Sequence, residues 1–152
     1  MQSRNLSYSQ FDKGREKLVK FFRQHGDKRI TKEGIQWIRR VTKEQLEKPG
    51  SLIHCVVNEK MIVGVLIISN YGIDESFMAV HEKYRNQDIA RKMVEYSIKE
   101  LGKVYGRVAL DNIPSMKVCF HNGLVAFHLF DGPTGKPTFW LGGGNWRKED
   151  VL

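Results

Sequence analysis

Two segments of this 152-residue chain hold residues whose types and spacing could do chemistry. The stretch from Met78 to Arg91 (MAVHEKYRNQDIAR) passes from an apolar run through a polar turn into a helical pattern. A helix beginning there offers backbone N–H groups without partners and the positive end of its dipole, which together make an anion site. Arg85, Arg91 and Lys92 add charge around it. Further on, Asn112, Ser115, Cys119 and Gly123 are spaced three, four and four apart, so from Ser115 onward they lie along one side of a short helix. A phosphate cradle followed by a polar stripe is a two-part site for a phosphorylated cofactor.

In this order the two segments resemble those of the GNAT superfamily of acetyl-CoA-dependent N-acetyltransferases. The superfamily's cofactor motif, Arg/Gln-x-x-Gly-x-Gly/Ala, is met by Arg85 through Ala90 except at Asp88. Its second motif, Asn-x-x-Ala/Ser-x-x-x-Tyr-x-x-x-Gly-Phe, aligns with Asn112, Ser115, Cys119, Gly123 and Leu124. The resemblance covers nearly the whole chain in element order and residues 60–127 in detail. It implies a mixed α/β, GNAT-like acyl-CoA N-acyltransferase fold: one domain over residues 1–152, with a mostly antiparallel central sheet flanked by helices. It implies transfer of acetyl from acetyl-CoA, a co-substrate, to a primary amine by direct attack through a tetrahedral intermediate, with no metal. Backbone groups of Met78, Ala79 and Val80 would pair with the pantetheine arm as an added strand. Amides of Arg85, Asn86, Gln87, Asp88, Ile89 and Ala90, beside the charge of Arg91, would hold the pyrophosphate. Asn112 would hydrogen-bond the pantetheine and Ser115 would line its channel. An N–H near Val80 would steady the oxyanion.

Two departures from the pattern bear on mechanism. Asp88 stands where the superfamily has a glycine; it adds a side chain and a negative charge, and is expected to cap its own helix, compete for the amides and weaken cofactor binding. Cys119 stands where a tyrosine usually protonates departing CoA. A thiol has a reference pKa of about 8.5 against about 10 for tyrosine, so Cys119 could return the proton or simply pack as a small hydrophobe. The amine must lose a proton before it attacks. Asp74, expected on the same strand face as Ser76, Met78 and Val80, is the first choice of base, and Glu75 is the second if the register slips by one residue.

Other patterns fail. The loop Gly132–Thr138 (GPTGKPT) has Phe130 where a phosphate-binding loop needs its first glycine and Pro137 where it needs Ser or Thr. His54 and Cys55 are adjacent on a strand pattern and face opposite sides, so they cannot grip one metal there.

The elements that must position these residues follow from periodicity. Helices are expected over Phe11–His25, from Thr31 to Lys48, over Arg85–Leu101 and over Pro114–His121, and strands over 51–58, 61–70, 74–81, 107–110, 124–130 and 137–141. Two cysteines and no long apolar run argue against a disulfide framework or a membrane span, and a cytoplasmic protein is expected. Net charge is +8, and its excess is concentrated early: residues 1–50 hold 13 Lys and Arg against 6 Asp and Glu, the remainder 12 against 11. The resemblance implies a small-molecule or peptide amine acceptor in a groove bordered by the first two helices, where that excess would favour an acceptor carrying an acidic group; a homodimer is compatible. A GNAT-like module that binds acyl-CoA without turnover is the alternative reading. Nucleic-acid binding through the basic third is disfavoured, since no base-stacking or DNA-reading pattern accompanies it.

Overall fold

The computed structural model describes residues 1–152. Seven strands, all paired antiparallel, form two sheets with helices on both faces. The first sheet runs in the order β1 (Gln2–Asn5), β2 (Leu52–Asn58), β3 (Met61–Ser69), β4 (Glu75–Val80). The second runs β5 (Lys103–Ala109), β7 (Pro137–Gly144), β6 (Val125–Asp131). The expected single central sheet is thus divided between β4 and β5, which leaves a gap between the two strands.

The apolar run of β3 explains the layering. Residues 63–69 are buried throughout, which requires cover on both faces. On one face Val65 and Ile67 pack with Phe11 of α1 (Tyr8–Lys13), Leu18 and Phe22 of α2 (Arg15–His25), and Ile35 and Ile38 of α3 (Lys32–Arg40). On the other, Leu66 and Ile68 meet Met93 and Val94 of α5 (Ile89–Leu101) and Met116 and Cys119 of α6 (Ile113–His121). Each fully buried aliphatic side chain contributes about 1.5–3 kcal/mol, so β3 is the spine of the domain. No helix is long and apolar enough to cross a membrane.

Local chemistry sets most boundaries. Thr31 caps α3 by accepting from the Gly34 N–H at 3.0 Å. A capping box between Thr42 and Gln45 starts α4 (Lys43–Leu46), so the expected Thr31–Lys48 helix is two helices. Gly14 likewise breaks the expected Phe11–His25 helix into α1 and α2. The β2–β3 turn lacks Asn-Gly but is made by Glu59 in a left-handed conformation (φ 56°). α5 begins at Ile89 rather than Arg85, so residues 85–88 are a loop, and β5 begins at Lys103, four residues before the expected strand.

Candidate functional site

β4 and β5 touch at one end only. There the carbonyl of Tyr105 lies against Gly72, where a Cβ would sit 1.8 Å from it. A Cβ on Gly106 would lie 3.9 Å from Ser76 Oγ, and Arg107 donates to the Asp74 carbonyl at 3.0 Å. No hydrogen-bonded ladder joins the two strands. The phase of the β3–β4 ladder then decides which groups are free. His81 N–H donates to Val63 O at 2.8 Å, and bonded pairs alternate along an antiparallel ladder. Phe77 and Ala79 therefore turn their backbone groups to β3, while Ser76, Met78 and Val80 turn theirs to the open edge. This corrects one expectation: Ala79 is committed to β3 and its side chain is buried in the core, leaving Met78 and Val80 as the edge groups.

A cavity of about 160 Å³ occupies the gap. Leu66, Met78, Val104 and Leu124 give it apolar walls, Phe22, Arg29 and Ile30 border it from the α2–α3 side, and Asn112, Ser115 and Cys119 line it from α6. The second predicted motif and the β4 edge therefore meet in one cavity. Asn112 is the N-cap of α6, its Oδ1 accepting from Ser115 N–H at 3.4 Å, so its Nδ2 group is the donor left for a ligand. Ser115 is half-buried beside it. Burial pushes the Cys119 thiol up to about 11, so it is neutral at physiological pH.

At the far end of β4 lies the predicted anion loop. No backbone N–H from Arg85 through Arg91 donates to a protein acceptor, whether in the helix, in a turn or to a side chain. Asn86 (φ 64°) and Asp88 (φ 63°) are left-handed, the conformation a glycine adopts without steric cost. Asp88 makes no cap hydrogen bond. Its carboxylate lies 3.6 Å from Arg91, which also reaches Glu95 at 3.2 Å. The expectation that Asp88 occupies its own helix amides is therefore overturned: a left-handed N-cap points the side chain along the helix surface toward Arg91. Arg85 also departs from expectation. Its guanidinium is tied to the Val80 carbonyl (3.2 Å), the His25 carbonyl (2.9 Å) and Asp27 (3.1 Å), so it pins the loop to the end of α2 instead of facing an anion. Asn86 and Gln87 are exposed, Ala90 is half-buried and Ile89 is buried against the β3 glycine, Gly64. Consecutive free amides at the start of a 13-residue helix, beside an open strand edge leading to a cavity, fit a diphosphate joined to an extended arm.

The β3–β4 ladder has no register slip, so Glu75 lies on the Phe77–Ala79 face and not, as the slipped register required, on the Ser76–Val80 face. β4 starts at Glu75, so Asp74 is an exposed turn residue, bonded to Asn70 Nδ2 at 3.3 Å, and does not share the Ser76–Val80 face. Glu75 is half-buried; burial raises its pKa, and the nearby Glu33 and Asp74 carboxylates push the same way against Arg107. Glu33 and Arg107 come from α3 and β5, and no local pattern marks them. His25 is a further residue that spacing did not reveal. It is buried at the end of α2, stacks on His81 with centroids 4.1 Å apart, and accepts the Glu82 N–H at Nδ1. No three His, Cys, Asp or Glu residues are grouped as a metal site.

With this geometry in place, solved structures give the comparison. An acetyltransferase of the GNAT family from Streptococcus pneumoniae superposes with a TM-score of 0.67 at 13% identity, covering 94% of this chain and 98% of its own. The chain has the GNAT fold. Ribosomal-protein-S5-alanine acetyltransferase from Vibrio fischeri gives 0.70 at 16% identity, over 96% and 94% of the two chains. Arabidopsis thaliana NAA60 in complex with acetyl-CoA gives 0.69 at 12%, over 95% and 98%. No protein-family model and no curated protein matches the sequence. Within the GNAT fold the split between β4 and β5, the loop before α5 and the start of α6 are the elements described above.

Proposed function

We propose that this protein is an N-acetyltransferase that moves acetyl from acetyl-CoA to a primary amine by direct attack. The run of unpartnered amides from Arg85 to Arg91, continuous with the free β4 edge, is the observation that carries the reading. In it those amides hold the pyrophosphate, Met78 and Val80 pair with the pantetheine, and Asn112 and Ser115 line the arm. Glu75 takes the proton from the ammonium, directly or through water; its raised pKa keeps it nearer the working pH of a base than an exposed carboxylate. The amine nitrogen then bonds to the thioester carbon, and a free edge N–H of β4 steadies the oxyanion. Collapse breaks the C–S bond, and the departing thiolate takes a proton from the neutral Cys119 thiol or from water. Cys119 is not an acyl carrier in this scheme, since a thiol near 11 holds almost no thiolate at neutral pH.

The acceptor's charge is better read locally than from the total of +8. Glu33, Asp74 and Glu75 gather at the end of β4, and they favour a cationic amine on a small molecule or peptide over an acidic one. Spermidine is the acceptor named for a Vibrio cholerae enzyme of this fold, and the S5 alanine for the Vibrio fischeri one. Calorimetry with CoA, followed by a thiol-release assay over cationic, neutral and acidic amines, tests the reading. Micromolar CoA binding with turnover on cationic amines supports it. Binding without turnover on any amine or peptide moves the protein to a non-catalytic acyl-CoA binder, and no binding at millimolar CoA removes the reading altogether.

A further inference from the structure

The face of the second sheet that looks away from α5 and α6 has no helix over it. Val104 and Val108 of β5, Ala126 of β6, and Phe139 and Leu141 of β7 pack toward those two helices. By alternation Tyr105, Arg107, Phe127 and Trp140 point the other way. On that side the core built by α1, α2 and α3 takes in side chains of β2, β3 and β4 and none of β5, β6 or β7. Aromatic rings pave the uncovered face instead. Trp140 lies near-parallel to Phe127 and Phe130, with centroids 6.4 and 6.2 Å away and planes 21° and 28° apart. Trp146, just past β7, sits over Gly142, where a Cβ would come within 2.7 Å of its ring, and stacks on Phe127 at 5.0 Å. All four rings are half-buried. Contiguous apolar surface of this kind marks a ligand or partner site.

Arg107 connects this row to the cavity. Its guanidinium lies 5.1 Å over the Trp140 ring, donates to the Asp74 carbonyl at 3.0 Å, and acts on Glu75, which shares this face of the split sheet. Arg107 also lines the cavity between β4 and β5. An amine that enters past Glu75 from this side therefore has Phe22, Arg29 and Ile30 as one wall and the aromatic row as the other. We propose that the row binds the rest of the acceptor, and that the acceptor is an arylalkylamine: one ammonium group joined by a short alkyl arm to an uncharged aromatic ring. This rests on the acetyl-transfer reading above. Glu33, Asp74 and Glu75 attract the ammonium, and the ring packs offset or edge-on against Trp140 and Phe127. Charge selects this occupant over a polyamine. A second ammonium on the row would lie beside Arg107, which repels it, while the carboxylates stay with the first. A guanidinium plane stacks on aromatic rings, so Arg107 adds to the surface for a neutral ring and works against a cation there.

Calorimetry of the CoA-bound protein with phenethylamine, n-butylamine and spermidine tests the proposal. Phenethylamine is expected to bind at least about tenfold tighter than either of the others. Trp140→Leu and Phe127→Leu keep apolar bulk, and each is expected to weaken phenethylamine by about five- to tenfold while n-butylamine is unmoved. In turnover the same variants should raise the KM for phenethylamine and leave kcat within about twofold. Unchanged CoA affinity and melting temperature show that they remain folded. Spermidine or n-butylamine binding as tightly as phenethylamine to the wild type overturns the proposal, and so does a preference for the ring that survives both substitutions. Failure of CoA itself to bind refutes the acetyl-transfer reading instead, and phenethylamine titrated into the CoA-free protein and its two variants then decides the aromatic surface by the same comparison.

Discussion

The loop before α5 makes a prediction that can be worked from its geometry. Asp88 sits left-handed at the N-cap with its carboxylate on Arg91 and none of the helix amides capped. Bound pyrophosphate would bring its charge within about 6 Å of that carboxylate, where two unit charges repel by about 0.7 kcal/mol in water-like surroundings and about 2.8 kcal/mol at an effective dielectric of 20. The Asp88 side chain is 66% exposed, which places the cost toward the low end. Removing the charge should lower the CoA dissociation constant by about 3- to 10-fold, since about 1.4 kcal/mol is tenfold. Strain and charge can be separated with three variants. Asp88→Asn keeps a side chain that tolerates φ near 63° and should gain the affinity with little change in stability. Asp88→Gly should gain the same affinity; relief of the left-handed strain is offset by about 0.5–1 kcal/mol of backbone entropy. Asp88→Ala should gain affinity but lose about 1 kcal/mol of stability. Calorimetry at about 20 mM and about 300 mM NaCl is the assay, and the gain should shrink in high salt as the Debye length contracts. Asn and Gly variants that bind CoA no tighter than wild type in low salt would refute the placement of the diphosphate.

Glu75→Gln is expected to lower kcat by about 10²- to 10⁴-fold with little change in acetyl-CoA affinity, and to abolish the acid limb of the kcat/KM profile. In the wild type that limb falls as pH drops through the raised carboxyl pKa; an unchanged profile in the variant assigns the proton transfer elsewhere. Asp74→Asn should cost less than about threefold. Cys119→Ala is expected to retain CoA binding and lose less than about tenfold in kcat, and mass spectrometry of enzyme quenched during turnover should find no acetylated cysteine; detection of one refutes direct attack. His25 has its pKa lowered by burial first and by His81 next, so the unfolded chain binds the extra proton more readily. Its contribution is therefore complete above about pH 6.5 and lost as pH falls from there through the folded value. Urea midpoints should drop over that window, and His25→Gln should flatten the drop.

Legibility in the sequence followed the range of the interaction. α5 and α6 could be read because their apolar spacing and stop signals, Gly102 and Asn122-Gly123, are local. β1 could not: its four residues are all exposed, so no alternation marks it, and it exists because Gln2–Asn5 find Val57–His54 fifty residues away. The split between β4 and β5 left no trace either, since nothing in GluSerPheMetAlaVal tells whether its second edge is paired. At the site, Asn112, Ser115 and Cys119 converge as their spacing suggested. Extending the strand back to Asp74 put an exposed turn carboxylate on the Ser76–Val80 face, whereas β4 starts at Glu75. Arg85 illustrates a different limit. Its type and place suit an anion, but three acceptors on α2, the following loop and β4 claim it.

The two charge distributions of this protein answer different questions. Lys13, Lys17, Lys20 and Arg23 are exposed and unpaired, and they account for much of the basic excess of the first fifty residues. In the proposed reading they act at a distance, raising the encounter rate of polyanionic CoA by a field that salt screens. The carboxylates Glu33 and Asp74 act on Glu75 at short range, where burial and their repulsion raise its pKa. Under the proposed reading an amine acceptor arrives as a cation and is deprotonated before it attacks, which falls to the local set. Neutralising the helix lysines should therefore lower kcat/KM for acetyl-CoA at low salt and leave the amine's KM unmoved, whereas Glu33→Gln should shift the amine's KM and leave the acetyl-CoA term alone. If both changes moved both parameters together, the division of labour between the two charge sets would be wrong.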